Sequence, residues 1–118
     1  MLIEDDVDIR ETITSLLEEE GVAVVTAANG AEALSYLRAT SAPPQLILLD
    51  LMMPVMDGAQ FRAEQVKDGR LAAIPVVVLS GHAYARTLAS TLGVAEVMMK
   101  PLSLDGLLSI VDRYCAQT

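Results

Sequence analysis

The feature that most constrains the fold of this chain is a short apolar run, Leu46–Leu49, in which no polar residue alternates with the apolar ones. A half-exposed strand of an antiparallel sheet alternates apolar and polar side chains, because successive residues face opposite sides. An uninterrupted apolar run is therefore typical of a strand whose two faces are both covered by helices. A second such run, Val76–Leu79, follows Pro75. The two runs predict the centre of a parallel sheet.

The alternation of short apolar runs and longer helical stretches repeats five times along the chain. Aliphatic and β-branched runs are typical of strands, and apolar residues three and four positions apart are typical of helices. A strand that is followed by a crossover helix pairs in parallel with the next strand, so the pattern predicts one α/β domain of the (βα)₅ type. The predicted strands are Met1–Glu4, Val22–Thr26, Leu46–Leu49, Val76–Leu79 and Val97–Met99.

Start and stop signals place the intervening helices. The first helix is expected to end near Gly21, the second to follow Asn29-Gly30, the third to open at Asp57-Gly58, and the fourth to span Tyr84–Leu92 before Gly93. Apolar residues at helical spacing mark one face of each helix. They are Ile9, Ile13, Leu16 and Leu17 on the first, Ala33, Leu34 and Leu37 on the second, Phe61 and Val66 on the third, and Leu104, Leu107, Leu108 and Val111 on the fifth.

The size and charge of the chain exclude several classes of protein. A chain of 118 residues suffices for one ordinary core and not for two. Sixteen acidic residues against eight basic ones give a net charge of −8, which argues against direct binding of nucleic acid. The lone Cys115 excludes an internal disulfide and favours a reducing, cytoplasmic compartment. Neither a membrane-spanning run nor a signal peptide is visible, so no membrane partner is expected.

Polar residues follow four of the predicted strands directly. Because the carboxyl ends of parallel strands meet at one edge of the sheet, these residues are expected to lie together. Carboxylates at that edge repel one another unless a cation is present. Because the ligands would all be oxygens, with no Cys or His among them, they suit Mg²⁺, whose coordination shell a phosphate would complete. A lysine and a hydroxyl both suit a phosphoryl group. The residues are Glu4, Asp5 and Asp6 where the first strand ends, Asp50 after the third, Ser80 after the fourth, with Gly81 next to it, and Lys100 after the fifth, with Pro101 next to it.

In these residues the chain resembles the response-regulator receiver domains of bacterial two-component signalling. The motifs are Glu4–Asp6, the segment Asp50–Gly58, Ser80 and the pair Lys100-Pro101, and each stands at a predicted strand end. The resemblance spans essentially the whole chain. It implies one receiver (phosphoacceptor) domain over residues 1–118 with a flavodoxin-like fold, in which a five-stranded parallel sheet of order 2-1-3-4-5 carries helices on both faces.

The resemblance implies that Asp50 is the phosphoacceptor. Its carboxylate would attack the phosphorus of a phosphohistidine and form a mixed anhydride. Asp5 would bind Mg²⁺ directly, and Glu4 would bind it through a water. The Asp50 carboxylate and the main-chain carbonyl of Met52 would complete the protein's share of the metal ligands.

The resemblance also implies how the phosphoryl group would be held. Lys100 would pair with one phosphoryl oxygen, and the Ser80 hydroxyl would donate a hydrogen bond to another. The main-chain amides of Gly81, Leu51 and Met52 would assist. Catalysis would therefore depend on positioning and charge, because phosphoryl transfer needs little covalent help from the protein.

The implied partners are a sensor histidine kinase or a histidine phosphotransfer domain as donor, and a downstream effector protein or domain as target. The domain would catalyse only its own phosphorylation and slow dephosphorylation. A homodimer, if one forms, would use the fourth helix, the fifth strand and the fifth helix. Val97 stands where the family usually has an aromatic switch residue, so coupling through a swinging ring is not expected. The Lys100-Pro101 peptide bond is expected to be cis.

Some polar residues near the predicted site have a simpler structural interpretation. Asp6 is expected to cap the first helix and Asp57 to begin the third, without a role in the chemistry. His82, the sole histidine, is expected on the surface at the start of the fourth helix. The apolar Met52 side chain cannot orient water, so we expect phosphorylated Asp50 to hydrolyse slowly.

Three other functions fit the same topology less well. The main alternative is a phosphorylation-independent, receiver-like protein-binding module, although such relatives typically lose part of the residue set that is complete here. A phosphatase or phosphomutase that uses an aspartyl phosphate normally has a second acid at the position of Met52 and a cap over its substrate. A flavin-binding domain would have a loop of Ser, Thr and Gly after the first strand, where this chain has Glu4–Asp6.

Overall fold

Five parallel strands form one sheet in a computed structural model that describes residues 1–51, 53, 55–81 and 85–115, without the side chains of Leu88 and Ala89. The strands are β1 (Leu2–Ile3), β2 (Thr26–Ala27), β3 (Ile47–Asp50), β4 (Val76–Ser80) and β5 (Glu96–Met99). Their spatial order is β2-β1-β3-β4-β5, which confirms the expected flavodoxin-like fold. None of the helices within these residues is long and apolar enough to cross a membrane.

The helices within the described residues are more numerous than the five expected. They are α1 (Val7–Glu19), α2 (Gly30–Ala39), α3 (Gly58–Lys67), α4 (Gly69–Ala72), α5 (Ala85–Leu92) and α6 (Leu104–Tyr114). The short α4 was not predicted, because four residues are too few to show helical periodicity. The predicted start of the fourth helix at Tyr84 lies outside the described residues. The predicted fourth and fifth helices correspond to α5 and α6.

The two central strands are buried on both faces, as the uninterrupted apolar runs predicted. Every residue of β3 and β4 is buried. Successive residues enter different cores: Ile47 and Leu49 pack in one cluster, and Leu48 packs with Leu2 in the other. The sheet therefore separates two apolar layers, and its only buried polar side chains in β3 and β4 are at the carboxyl ends of these strands.

The second strand is shorter and later than predicted. The expectation was Val22–Thr26, whereas the paired residues are Thr26–Ala27. The parallel register pairs Leu2 with Thr26 and Ile3 with Ala27. Within the described residues, this register pairs only Thr26 of the predicted segment with β1, and Ala27 extends the strand beyond it. The aliphatic and β-branched composition of Val22–Thr26 predicted a strand, but pairing depends on the neighbouring strand.

Local capping sets the helix ends as expected. The Asp6 side chain accepts hydrogen bonds from the amides of Asp8 at 2.9 Å and Ile9 at 3.0 Å, which confirms Asp6 as the N-cap of α1. Asp57 forms a capping box with Gln60 at the start of α3. Gly21 follows α1 with a φ of 84°, a left-handed conformation that glycine adopts without strain.

Candidate functional site

Three carboxylates from two strand ends converge at the carboxyl edge of the sheet. Glu4 and Asp5 follow β1, and Asp50 ends the adjacent β3. Each residue offers one carboxylate oxygen, and these oxygens all lie within 4.8 Å of one another. Glu4 and Asp50 are buried, with 1% and 6% of their surface exposed, whereas Asp5 is exposed. The sequence prediction that these acids lie together is therefore confirmed.

Lys100 supplies the positive charge of this cluster. It directly follows β5, and its Nζ lies 3.2 Å from Glu4 Oε1 and 3.9 Å from Asp50 Oδ2. The Lys100 amide donates a hydrogen bond to the Ser80 carbonyl at 2.8 Å, which ties the end of β5 to the end of β4. The Lys100-Pro101 peptide bond is cis, as expected. One ammonium thus faces two buried carboxylates.

The crowding of like charges changes the ionisation of Glu4. Burial, together with a hydrogen bond to Asp50 and the Asp50 charge, raises the pKa of Glu4 from 4.5 to about 7. The Lys100 ammonium acts in the opposite direction but does not cancel these effects. The carboxylates of the cluster therefore carry more negative charge than the Lys100 ammonium neutralises.

The donor set suits a hard divalent cation. Glu4, Asp5 and Asp50 provide oxygen ligands only, and Mg²⁺ binds through few carboxylates while it retains waters. A dication near these oxygens would favour their ionised forms. These three residues therefore fit the expected magnesium site. Met52, whose carbonyl was expected to be a further ligand, lies outside the described residues.

Close packing holds the segment that follows Asp50. The amide of Gly58 donates to the carbonyl of Leu51 at 3.0 Å. A β-carbon at Gly58 would lie 2.8 Å from Leu51 Cα and 2.9 Å from the Asp50 carbonyl oxygen, so only glycine permits this approach. Leu51 itself is buried. The start of α3 is thereby packed directly against the backbone that carries Asp50.

Ser80 and Gly81 complete the edge at the end of β4. Ser80 is buried, with 3% of its surface exposed, and is in register with Met99 of β5. Gly81 is exposed, and a β-carbon there would have Lys100 Cβ as its nearest neighbour, at 3.9 Å. Both residues therefore lie beside the end of β5 that carries Lys100. His82 is outside the described residues.

One residue at this edge was missed by the sequence analysis. Arg10 of α1 donates a hydrogen bond from its guanidinium to the carbonyl of Glu4 at 2.9 Å. It fastens α1 to the end of β1 and so holds the backbone that presents Glu4 and Asp5. The available signal was a cation one helical turn after the N-cap Asp6, but the sequence alone does not show which carbonyl it reaches.

Known proteins share this fold and sequence pattern. Residues 1–112 match the family described as the response regulator receiver domain. The chain is 33% identical over 120 residues to the response regulator Rre1 of Synechocystis sp., a match that covers 99% of this chain and 51% of Rre1. The chain thus spans about half the length of that relative.

Two solved structures are similar over nearly the whole chain. The signal receiver domain of a signal transduction histidine kinase from Syntrophus aciditrophicus has 30% identity and a TM-score of 0.85, with 96% of this chain and 86% of that chain covered. The phosphorylated cyanobacterial phytochrome response regulator RcpA has 32% identity and a TM-score of 0.80, with 99% and 93% covered. The chain therefore belongs to the family of response-regulator receiver domains, the signalling phosphoacceptors of two-component systems.

Proposed function

We propose that residues 1–118 form a phosphoacceptor domain that receives a phosphoryl group on Asp50 from the phosphohistidine of a sensor histidine kinase or a histidine phosphotransfer domain. The observation that carries this proposal is the position of Asp50. It ends the central strand β3, is 6% exposed, and lies within 3.9 Å of the Lys100 ammonium and within 4.8 Å of two further carboxylates. A purely structural carboxylate gains nothing from such crowding.

In the proposed reaction, a carboxylate oxygen of Asp50 attacks the phosphorus. The bond between the phosphorus and the donor imidazole nitrogen breaks, and its electron pair stays on that nitrogen. The donor leaves as a neutral imidazole because its other ring nitrogen already carries a proton. Lys100 would pair with one phosphoryl oxygen, and the Ser80 hydroxyl would donate to another. The amides of Gly81, Leu51 and Met52 would donate to the same group. Such contacts stabilise charge on the phosphoryl oxygens, which is the main requirement of this chemistry.

Glu4, Asp5, Asp50 and the Met52 carbonyl would hold Mg²⁺ in this proposal. When bound, the ion neutralises negative charge on the carboxylates and on the phosphoryl oxygens. Glu4 would then be held ionised, because a nearby dication favours the carboxylate form. Support comes from the oxygen-only donor set and from the excess of negative charge at the edge.

The proposed output is a change of partner. Phosphorylation of Asp50 would alter the surface built from α5, β5 and α6, which would bind a downstream effector protein or domain, or a second copy of the chain, in the cytoplasm. Val97 of β5 is half-buried against the core cluster that contains Ala85 of α5. Because Val97 carries no ring, the change would pass through the backbone and packing of these elements.

Intact mass spectrometry tests the acceptor and the metal together. The protein is incubated with phosphoramidate and Mg²⁺, with and without EDTA. We expect one added phosphoryl group, absent in EDTA and in Asp50→Asn, and retained in Asp112→Asn, a control that removes an exposed carboxylate from α6. A folded wild-type protein that gains no mass would contradict the proposal and favour the phosphorylation-independent binding module.

A further inference from the structure

The C-terminal end of α5 is held by an arginine from another helix. Arg62 of α3 donates hydrogen bonds from Nε to the carbonyl of Leu92 at 3.0 Å and from Nη2 to the carbonyl of Gly93 at 3.0 Å. The last carbonyls of a helix lack partners within the helix and carry partial negative charge. The last turn of α5 contains no basic residue of its own. Arg62 therefore supplies both the donors and the positive charge that favour this end of α5.

A buried glutamine keeps the Arg62 guanidinium in place. Nη1 of Arg62 donates to Gln65 Oε1 at 2.9 Å. Gln65 is fully buried and donates in turn to the carbonyls of Leu71 and Ile74. The guanidinium is planar and its donors have fixed directions, so few orientations satisfy these three acceptors together. Arg62 is therefore a rigid link between α3 and the end of α5.

The N-terminal end of α5 has contacts of another kind. Its first residue, Ala85, is fully buried in the core cluster that also contains Val78 of β4. Apolar packing has no preferred direction, so a small side chain such as alanine slides against its neighbours more easily than a hydrogen-bonded group does. Ala85 follows Ser80, the proposed phosphoryl-binding hydroxyl, by five positions. The end of α5 nearer the candidate site is thus held by non-directional contacts among the described residues.

We infer that Arg62 is a positioning residue that fixes the C-terminal end of α5 in both states of the protein, so that phosphorylation of Asp50 turns α5 about this end. The inference rests on the proposed function. Displacement would be largest near Ala85 and smallest at Leu92 and Gly93, because a helix moves as a rigid element about the end that is fixed. A partner that distinguishes the two states would therefore contact the first turns of α5.

Two variants of Arg62 test the link. Arg62→Ala removes its three contacts, and Arg62→Lys keeps the charge but lacks the planar fork that reaches both carbonyls and Gln65. The lysine variant keeps the test decisive if the alanine variant does not fold. Arg38→Ala is the matched control, because Arg38 is an exposed arginine of α2 that also contacts α3, with 3.7 Å between its Nη2 and Glu64 Oε1.

Two-dimensional NMR compares each protein before and after phosphorylation with phosphoramidate and Mg²⁺, and intact mass reports the extent of phosphorylation. In the wild type we expect the Arg62 Nε–H signal, identified by its loss in Arg62→Lys, to persist in both states. The amide shifts of residues 85–87 should change at least about threefold more than those of Leu92 and Gly93. In the Arg62 variants the changes at Leu92 and Gly93 should approach those of residues 85–87, whereas Arg38→Ala should behave as the wild type.

Loss of the Arg62 Nε–H signal on phosphorylation would overturn the inference, because the link would then break in one state. So would wild-type shift changes as large at Gly93 as at Ala85, Arg62 variants that respond as the wild type does, or an equal effect in Arg38→Ala. Each of these results requires a protein that has gained the phosphoryl mass, so it leaves the proposed function intact. A protein that gains no mass contradicts the proposed role of Asp50 and overturns the response of α5 with it.

Discussion

Two regions of the protein bury polar side chains, and they satisfy them in opposite ways. In the first region, Gln65 of α3 is fully buried. Its side-chain amide donates hydrogen bonds to the carbonyls of Leu71 at 2.9 Å and Ile74 at 3.2 Å, and its side-chain oxygen accepts one from Arg62 at 2.9 Å. At the carboxyl edge, Glu4 and Asp50 are buried beside each other with one ammonium between them. In the first region the buried side chain is neutral and its donors and acceptor have hydrogen-bond partners. In the second region the buried carboxylates carry more negative charge than the ammonium neutralises.

The difference separates a structural polar group from a functional one. A buried amide whose donors and acceptor are matched stabilises the fold and specifies a unique packing. Buried carboxylates that crowd one another destabilise the protein until a cation or a proton relieves them. Burial of a polar residue therefore does not by itself indicate a functional site. The balance of charge around the residue distinguishes a functional polar group from a structural one.

The largest expected effect is on the matched region. Gln65→Ala removes three hydrogen bonds, leaves the carbonyls of Leu71 and Ile74 without this donor, and opens a cavity. We expect the free energy of unfolding to fall by about 3 kcal/mol in a urea titration. Gln45→Ala, at an exposed position, is the control. A loss below about 1 kcal/mol at Gln65 would remove the basis of the comparison.

The next effect is a pH dependence at the carboxyl edge. The pKa of Glu4 is raised to about 7 in the folded protein from 4.5. The folded state therefore holds more protons between these values, so stability is greatest at low pH within this window and falls as the pH rises through it. We expect the contribution of Glu4 to fall by about 2 kcal/mol between about pH 5 and pH 8 in EDTA.

Glu4→Gln isolates this contribution. The free energy of unfolding of wild type and of Glu4→Gln is measured across the same pH series. The difference between the two proteins should show the expected decrease in the contribution of Glu4 as the pH rises. A difference that stays constant with pH would show that Glu4 titrates normally and that the edge is not under electrostatic strain.

The smallest effect is the relief of charge at Asp50. Asp50→Asn removes the partner whose hydrogen bond and charge act on Glu4. We expect the metal-free protein to gain about 1 kcal/mol of stability at pH 8, which is above the raised pKa of Glu4, about 7. Thermal unfolding in EDTA measures this change, and Asp112→Asn serves as the control. A destabilised variant would show that Asp50, like Gln65, is a structural polar group that stabilises the fold.

Sequence periodicity predicted most of the fold. It was wrong where the environment of a residue depends on contacts with residues distant in the sequence. Val66 was placed on the apolar face of the third helix, yet it is 48% exposed while the adjacent Gln65 is buried. A glutamine reads as a surface residue unless its partners are known, and the carbonyls of Leu71 and Ile74 become its partners only through the unpredicted α4. Similarly, Val22–Thr26 has the composition of a strand but the register of β1 limits its pairing to Thr26 and Ala27.

The candidate site divides in the same way between sequence and tertiary structure. The amino-acid sequence determined that acids, a hydroxyl and a lysine follow the strands, because strand ends can be read from apolar runs and their direction from crossover helices. It did not determine how close the groups come. The 3.2 Å contact between Lys100 and Glu4 joins residues 96 positions apart, and it exists because β1, β3, β4 and β5 lie in one sheet.

Tertiary structure also decided the energies at the site. The raised pKa of Glu4 arises from burial and from Asp50, and Val55 adopts a positive φ of 68° in the loop before α3. Periodicity reports which side of a strand or helix a residue occupies, since it depends on neighbours in the chain. Distance, burial and strain depend on neighbours in space, and these are set only when the layers of the fold pack together.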